Sequence, residues 1–164
     1  MFTNGTIIKV SGPLVVAKGL SGTCIYDMVR VGNYRLFGEV VEIRGDEYFI
    51  QVYEETEGLG PGEPVYPTYS AFSVELGPGL IGAIYDGIQR PLDVINRLHG
   101  DYIVRGIEHP PLDRMKKWHF HPLKNVGDEV VPGDVIGYVQ ESKLVRHQIM
   151  VPVDVKGRLS SIEE

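Results

Sequence analysis

Six short segments with the apolar or alternating pattern of β-strands fill the first 70 residues, and glycine- or proline-containing turns separate them. The 20 glycines and 11 prolines of this 164-residue chain favour many strands and turns over long helices. The predicted strands are 5–10, 14–18, 23–30, 36–44, 48–53 and 63–66. Strands this short would leave two unpaired edges in an open sheet, so we expect them to close into a small barrel with one core.

Composition and charge argue against several classes of protein. The formal net charge is −6, so we do not expect the broad basic surface of a nucleic-acid-binding protein. The sequence has no apolar run of about 18 residues and no secretory leader pattern, so we expect neither a membrane-spanning nor a secreted protein. Cys24 is the only cysteine, which excludes an intrachain disulfide. Its apolar neighbours predict a small buried residue and not a nucleophile.

A glycine-rich stretch, residues 74–92, follows the predicted barrel and reads VELGPGLIGAIYDGIQRPL. Its glycines and prolines predict a turn at 76–79, a strand at 80–85, a turn at 86–87 and a helix over 93–99. The motif Gly-x-x-x-x-Gly-Lys-Ser/Thr occurs nowhere in the chain. Because Gly77-Pro78-Gly79 lacks the lysine and hydroxyl that hold phosphate and Mg²⁺, we interpret this turn as structural.

Charged residues in the first half offer few candidates for chemistry. Glu54, Glu55 and Glu57 form an acidic cluster in a glycine-containing loop. Such carboxylates could bind a cation or act as acid and base, but no histidine or aspartate at ligand spacing accompanies them, so a solvated loop is expected. Asp27 and Arg30 are interpreted as surface charges or subunit contacts.

Two histidines could bind a metal ion. His119 and His121 are two residues apart, so on a strand they would share one face. A third ligand would have to be a carboxylate or another histidine, such as His99, His109 or His147. The competing interpretation is one polar face of an exposed strand, with Trp118 and Phe120 packed on the other.

The segment 126–143 resembles half of a lipoyl or biotinyl carrier domain, with two Gly-Asp turns and a hairpin that ends at Lys143. A modified lysine must stand at an exposed tight turn, and the offset of Lys143 from Gly127 fits that requirement. The neighbours Glu141-Ser142 and Leu144 differ from the residues that usually flank a carrier lysine. A shared β-sandwich architecture, in which Gly127, Gly133 and Gly137 serve turns, is therefore the expected explanation.

Motifs along the whole chain carry a family resemblance. They are GTIIKVSGP (5–13), GEVV (38–41), IQVYEETEG (50–58), GEPV (62–65), VELGPG (74–79) and YDGIQRPL (85–92). Together they resemble the catalytic A subunit of V-type and archaeal-type rotary ATPases. The barrel and the glycine-proline turn are shared with the other nucleotide-binding subunits. The form of residues 86–92, and the long segment with an aromatic run near Trp118, resemble the A subunit in particular.

This resemblance implies a parent protein that hydrolyses or makes ATP, with Mg²⁺, coupled to H⁺ or Na⁺ transport. It implies B subunits as neighbours in an A3B3 hexamer, contact with the peripheral stalk, and a cytoplasmic location in a peripheral membrane complex. The phosphate loop and the catalytic carboxylates would lie beyond residue 164. We therefore expect an N-terminal piece of a longer subunit, with a natural short paralogue as the alternative.

The expected fold is mainly β, with three parts. Residues 1–70 form the barrel of the hexamer collar. Residues 71–99 form joining strands and a short helix that lead toward the nucleotide-binding domain. Residues 100–164 form an incomplete, barrel-sandwich-like insertion called the bulge. We expect no catalytic, cofactor or metal residue in this chain and no activity of its own. The alternatives are a carrier module using Lys143 and a metal-binding protein using His119 and His121.

Overall fold

Six antiparallel strands close into a barrel, as the pattern of short strands predicts. The computed structural model of the protein describes residues 4–163. The strands are β1 (Gly5–Ser11), β2 (Leu14–Lys18), β3 (Asp27–Val31), β4 (Leu36–Arg44), β5 (Glu47–Val52) and β6 (Pro64–Ala71). They pair in the cyclic order β1-β2-β5-β4-β3-β6, so each strand has a neighbour on both sides. Closure satisfies the backbone groups that an open sheet would leave at its edges.

One apolar core fills the barrel. Alternate side chains of the strands point inward, and the buried set is Ile7, Val15, Ala17, Leu20, Val29, Val31, Leu36, Val40, Ile50, Val52 and Val65. Most of these side chains are β-branched, which suits a strand that is buried on one face. Gly38 lies among them on β4, where a Cβ atom would stand 2.8 Å from Cγ2 of Ile50. The missing side chain at Gly38 therefore leaves room for Ile50 to pack.

The start of the third strand was predicted too early. Residues 23–26 precede β3 and include a turn at 25–26, and the Cys24 N–H donates to Oδ2 of Asp27 at 2.8 Å. This local hydrogen bond competes with strand pairing, as aspartate side chains often do. Cys24 is exposed, so the expectation of a buried cysteine was wrong. β6 is longer than predicted because its pairing with β3 continues to Ala71 past an irregularity in register.

Residues Leu98–Glu108 return to the barrel and form one compact unit with the chain up to Ser73. The attachment centres on Glu54, whose two carboxylate oxygens accept from the N–H of Phe37 (2.9 Å) and of Gly106 (3.0 Å). Arg105 donates to the carbonyl of Glu57. Glu54 is half-buried and bridges two segments, so the expectation of a solvated acidic loop was wrong for this residue. Glu57 itself is exposed.

An ion pair also holds this returning segment. Nη2 of Arg30 lies 2.7 Å from Oε1 of Glu108, and the guanidinium stacks 3.3 Å above the ring of Phe37. Burial lowers the pKa of Arg30, and the carboxylates of Glu108 and Glu54 oppose that change. The Arg30 side chain is only 15% exposed, so it is an internal contact of this unit more than a free surface charge.

The second compact unit comprises Val74–Arg97 and the chain from His109 onward. Its elements are α1 (Leu92–His99, which runs into the first unit), β7 (Phe120–Pro122), β8 (Glu129–Val130), β9 (Val135–Gln140), β10 (Arg146–Met150) and β11 (Gly157–Arg158). The strands form a three-stranded sheet, β10-β9-β7, and a two-stranded sheet, β11-β8. No helix within the described residues 4–163 is long and apolar enough to cross a membrane.

Three further expectations were wrong in detail. Residues 80–85 are not a strand, because Gly82 adopts φ +87° and the run forms only a single bridge, Tyr85 to Pro91. The segment 102–106 belongs to no strand, although an extended chain was predicted, and it ends in a turn at 105–106 where Gly106 adopts φ +69°. Gly137 lies inside β9 and not at a turn. Glycine fits there because a Cβ atom would stand 2.2 Å from the ring of Phe120.

Replacement of Gly106 tests the attachment of the returning segment. Gly106→Ala should destabilise the barrel unit more than Gly45→Ala, because a Cβ atom at 106 would lie 2.0 Å from the carbonyl oxygen of Tyr34, whereas Gly45 faces open space. Both glycines have positive φ, so the backbone strain of about 1–2 kcal/mol is common to the two variants. Urea denaturation followed by circular dichroism measures the difference. Equal losses in the two variants would show that residue 106 does not pack against Tyr34.

Candidate functional site at the glycine-rich joint

The glycine-rich stretch 74–92, here called the joint, is held together by a side chain that imitates a peptide group. Gln89 adopts φ +60°, an uncommon conformation outside glycine. Its amide group accepts from the N–H of Glu75 at 2.6 Å and donates to the carbonyl of Glu75 at 2.7 Å. The two ends of the joint are thereby paired as two strands would be. The sequence gives no sign of this role, because nothing in the pattern relates position 89 to position 75.

Asp86 and Arg90 form the buried ion pair of the joint. Oδ2 of Asp86 lies 2.7 Å from Nε of Arg90, and the two side chains are 16% and 10% exposed. The other oxygen of Asp86 accepts from the N–H groups of Ile88 (3.1 Å) and Arg90 (2.8 Å). One carboxylate therefore fixes the backbone of the turn and neutralises the guanidinium. The motif Asp86-Gly-Ile-Gln-Arg90 is structural in this position.

The helix α1 begins directly after this turn. Pro91 stands in the position before Leu92 and fixes a helical φ, and Asp93 lies in the first turn, where a negative charge is favourable. The helix buries Ile95, which is 2% exposed. Its start at Leu92 confirms the predicted helix to within one residue.

Residues 79–81, here called the glycine turn, bind a carboxylate of the same chain. The N–H groups of Gly79 and Ile81 both donate to Oε1 of Glu141, at 2.7 and 3.0 Å. The Glu141 side chain is 3% exposed, and its other oxygen lies 3.4 Å from Nδ1 of His147. The turn whose glycines invite comparison with a phosphate loop is therefore occupied from within. In the sequence, Glu141 stands out only as an unusual neighbour of Lys143.

A cavity of about 520 Å³ lies beside the joint. Apolar residues such as Pro78, Pro91 and Leu112 line it, and the hydroxyl of Tyr85 donates to the carbonyl of Pro111 at 2.8 Å. Charged side chains around it are engaged in pairs: Asp93 with Arg97, Glu75 with Arg114, and Lys116 over the ring of Trp118. The cavity therefore does not concentrate charge of one sign.

The two candidate metal ligands contact each other and an aromatic ring. The ring centroids of His119 and His121 are 4.4 Å apart in an edge-to-face arrangement, and His121 stacks on Tyr138 at 4.7 Å. Within residues 4–163, no group of three or more histidine, cysteine, aspartate or glutamate side chains could hold a metal ion. Packing on Tyr138 accounts for the position of His121 without a metal.

Lys143 lies at the exposed tip of the β9–β10 hairpin. Ser142 and Gln140 shape this tip, since the Ser142 hydroxyl accepts from the Val145 N–H at 3.2 Å and the Gln140 amide donates to the Ser142 carbonyl at 2.7 Å. The hairpin itself was predicted. Gly127 and Gly133 adopt positive φ in the turns that were assigned to them.

Comparison with known proteins identifies both units. The model of the ATP synthase alpha/beta family, beta-barrel domain, matches residues 7–69, and that of the ATPsynthase alpha/beta subunit barrel-sandwich domain matches residues 109–164. A V-type ATP synthase alpha chain from Clostridium botulinum (strain Okra / Type B1) is 59% identical over 160 residues. The chain belongs to the ATP synthase alpha/beta family. This confirms the resemblance and the mainly β fold that the sequence predicted.

Other relatives place the chain in the same branch of the family. An alpha chain 1 of a V-type ATP synthase from Clostridium tetani is 56% identical, and the A subunit of an A-type ATP synthase from Thermococcus sp. (strain KI) is 55% identical, each over 160 residues. These matches cover 98% of this chain but 27% of each relative, so the chain spans about a quarter of their length. The comparisons give no support to a carrier module using Lys143 or to a metal site at His119 and His121.

Two Asp–Arg pairs of the same spacing test the importance of the joint. Asp86→Ala should lower the free energy of unfolding by about 3 kcal/mol, because it leaves Arg90 buried without its carboxylate and frees two backbone N–H groups. Asp93→Ala removes an exposed pair, 61% and 72% exposed, and should cost about 1 kcal/mol or less. Urea denaturation measures both. Equal losses of unfolding free energy in the two variants would show that Asp86 contributes no more to stability than the exposed Asp93 does.

Proposed function

We propose that this chain is the N-terminal region of the A subunit of a V/A-type rotary ATP synthase. The identity of 59% over 98% of the chain to an alpha chain of that class carries the proposal. The parent subunit would hydrolyse or make ATP, with Mg²⁺, coupled to H⁺ or Na⁺ transport. It would work in the cytoplasmic, peripheral part of a membrane complex.

We assign assembly, not chemistry, to the residues present. The barrel, residues 1–70, would pack beside B subunits in the collar of an A3B3 hexamer. Residues 71–99 would lead toward the nucleotide-binding domain, and residues 100–164 would form the bulge that contacts the peripheral stalk. The closed barrel supports the first assignment, since its edges are paired and its outer face can meet neighbours. The paired side chains of the joint support a structural role for the second.

Association with the B subunit of the same ATP synthase tests the assembly role. The chain should bind that subunit saturably in sedimentation or light-scattering titrations. Leu144→Asp should leave this binding unchanged, because Leu144 is 94% exposed on the other compact unit and the proposal places the B-subunit contact on the barrel. No association of the wild-type chain, or loss of it in Leu144→Asp, would contradict the assignment.

Calorimetric titration with Mg-ATP tests the absence of chemistry. We expect no saturable heat of binding, because the chain contains no Gly-x-x-x-x-Gly-Lys-Ser/Thr loop and Glu141 occupies the N–H groups of the glycine turn. The full-length A subunit of the same complex is the positive control. Tight, saturable binding to the 164-residue chain would overturn this part of the proposal.

A further inference from the structure

The side chain of Glu141 is buried at an otherwise exposed hairpin tip. Ser142, Lys143 and Leu144 are exposed, whereas the side chain of Glu141 is 3% exposed. An ionised carboxylate is costly to bury unless strong hydrogen bonds replace its water. The position of Glu141 therefore requires partners that compensate for lost hydration.

The glycine turn supplies these partners from about 60 positions away in the sequence. Oε1 of Glu141 accepts from two N–H groups, those of Gly79 and Ile81, at 2.7 and 3.0 Å. Gly79 adopts φ +110° and Gly82 adopts φ +87°, conformations that favour glycine. Neighbouring N–H groups of such a turn form a small concave anion site.

Hydrogen bonds of the hairpin fix the other side of the contact. The Glu141 N–H donates to the carbonyl of Val145 at 3.0 Å, directly after β9 ends at Gln140. His147, on β10, faces Oε2 of Glu141 at 3.4 Å. A hydrogen-bonded hairpin thus presents the carboxylate to the turn in a buried setting, where a hydrogen bond is electrostatically stronger than in water.

We propose that the turn Gly79–Ile81 is a backbone binding site for a carboxylate, and that Glu141 fills it to latch the β9–β10 hairpin to the glycine-rich joint. Two N–H groups that converge on one oxygen match the size of a single carboxylate. This proposal is independent of the assignment to a rotary ATP synthase, because it depends only on contacts within the second compact unit.

The hydrogen bonds and charges around Glu141 favour the ionised form of its carboxylate. Burial raises the pKa of Glu141, but the N–H groups of Gly79 and Ile81 together with His147 lower it by more, so the net pKa is below the ordinary value. Among the described residues, the titratable groups that face the carboxylate are His147 from β10 and Tyr85 from the joint. Burial raises the pKa of Tyr85, and the charges of Asp93 and Glu141 add to that effect.

Amide hydrogen exchange of Gly79 and Ile81 tests the latch directly. In Glu141→Ala both amides should exchange at least about 10-fold faster than in wild type, because they lose their acceptor. Glu129→Ala, which removes a carboxylate 84% exposed in the same unit, should leave their exchange unchanged. Glu141→Gln keeps an acceptor oxygen without charge and should give an intermediate rate. Equal exchange in wild type and in both Glu141 variants would overturn the proposal.

Chemical rescue tests whether the turn is a binding site and not only a tether. Added sodium acetate should restore the protection of Gly79 and Ile81 in Glu141→Ala, with sodium chloride of equal ionic strength as the control. Acetate that restores no more than chloride would overturn the assignment of a carboxylate site. Neither result bears on association with the B subunit, so the two proposals fail independently.

The pH dependence of stability gives a second measurement. A carboxylate whose pKa is lower in the folded state contributes stability above its unfolded pKa, about 4.3, and loses that contribution as the pH falls through the folded value. The difference in free energy of unfolding between wild type and Glu141→Gln should therefore be full at neutral pH and shrink below about pH 4. A difference that stays constant down to acid pH would contradict an ionised ligand.

Discussion

Closure of the barrel is the constraint on which the first half of the structure depends. Strands of five to nine residues bury one core only because each has a neighbour on both sides. This requirement explains the glycine at position 38, where a side chain would meet Ile50, and the polar turns between the strands. It also leaves the outer face of the barrel as the surface that can meet other subunits.

The second unit is organised by buried carboxylates more than by a large core. Asp86 neutralises Arg90 and fixes a turn, and Glu141 binds two N–H groups of the glycine turn. Asp86 accepts three hydrogen bonds and Glu141 accepts two, which offsets part of the cost of their burial. Removing either carboxylate takes the acceptor away from two backbone N–H groups, so these residues matter more to the unit than an exposed pair such as Asp93 and Arg97.

Local sequence pattern predicted most strands and the helix. It did not predict side-chain contacts between residues far apart in the chain. Alternation and turn residues located four of the six barrel strands closely, whereas β3 begins and β6 ends later than predicted. Proline with an acidic first turn located the helix α1. The apolar run 80–85 was misread as a strand because no partner strand pairs with it. Gln89 and Glu141 gave no signal, since their partners are 14 and about 60 residues away. Family motifs identified the chain where spacing alone could not.

The returning segment Leu98–Glu108 has a consequence for the order of folding. All pairing of the barrel strands lies within residues 5–71, so the barrel can close as soon as that part of the chain is synthesised. The hydrogen bond from the Gly106 N–H to Oε1 of Glu54 can form only after about 50 residues beyond Glu54 have been synthesised. The contacts of Glu54 with Gly106 and of Arg30 with Glu108 are thus made only after the joint and its helix have been synthesised.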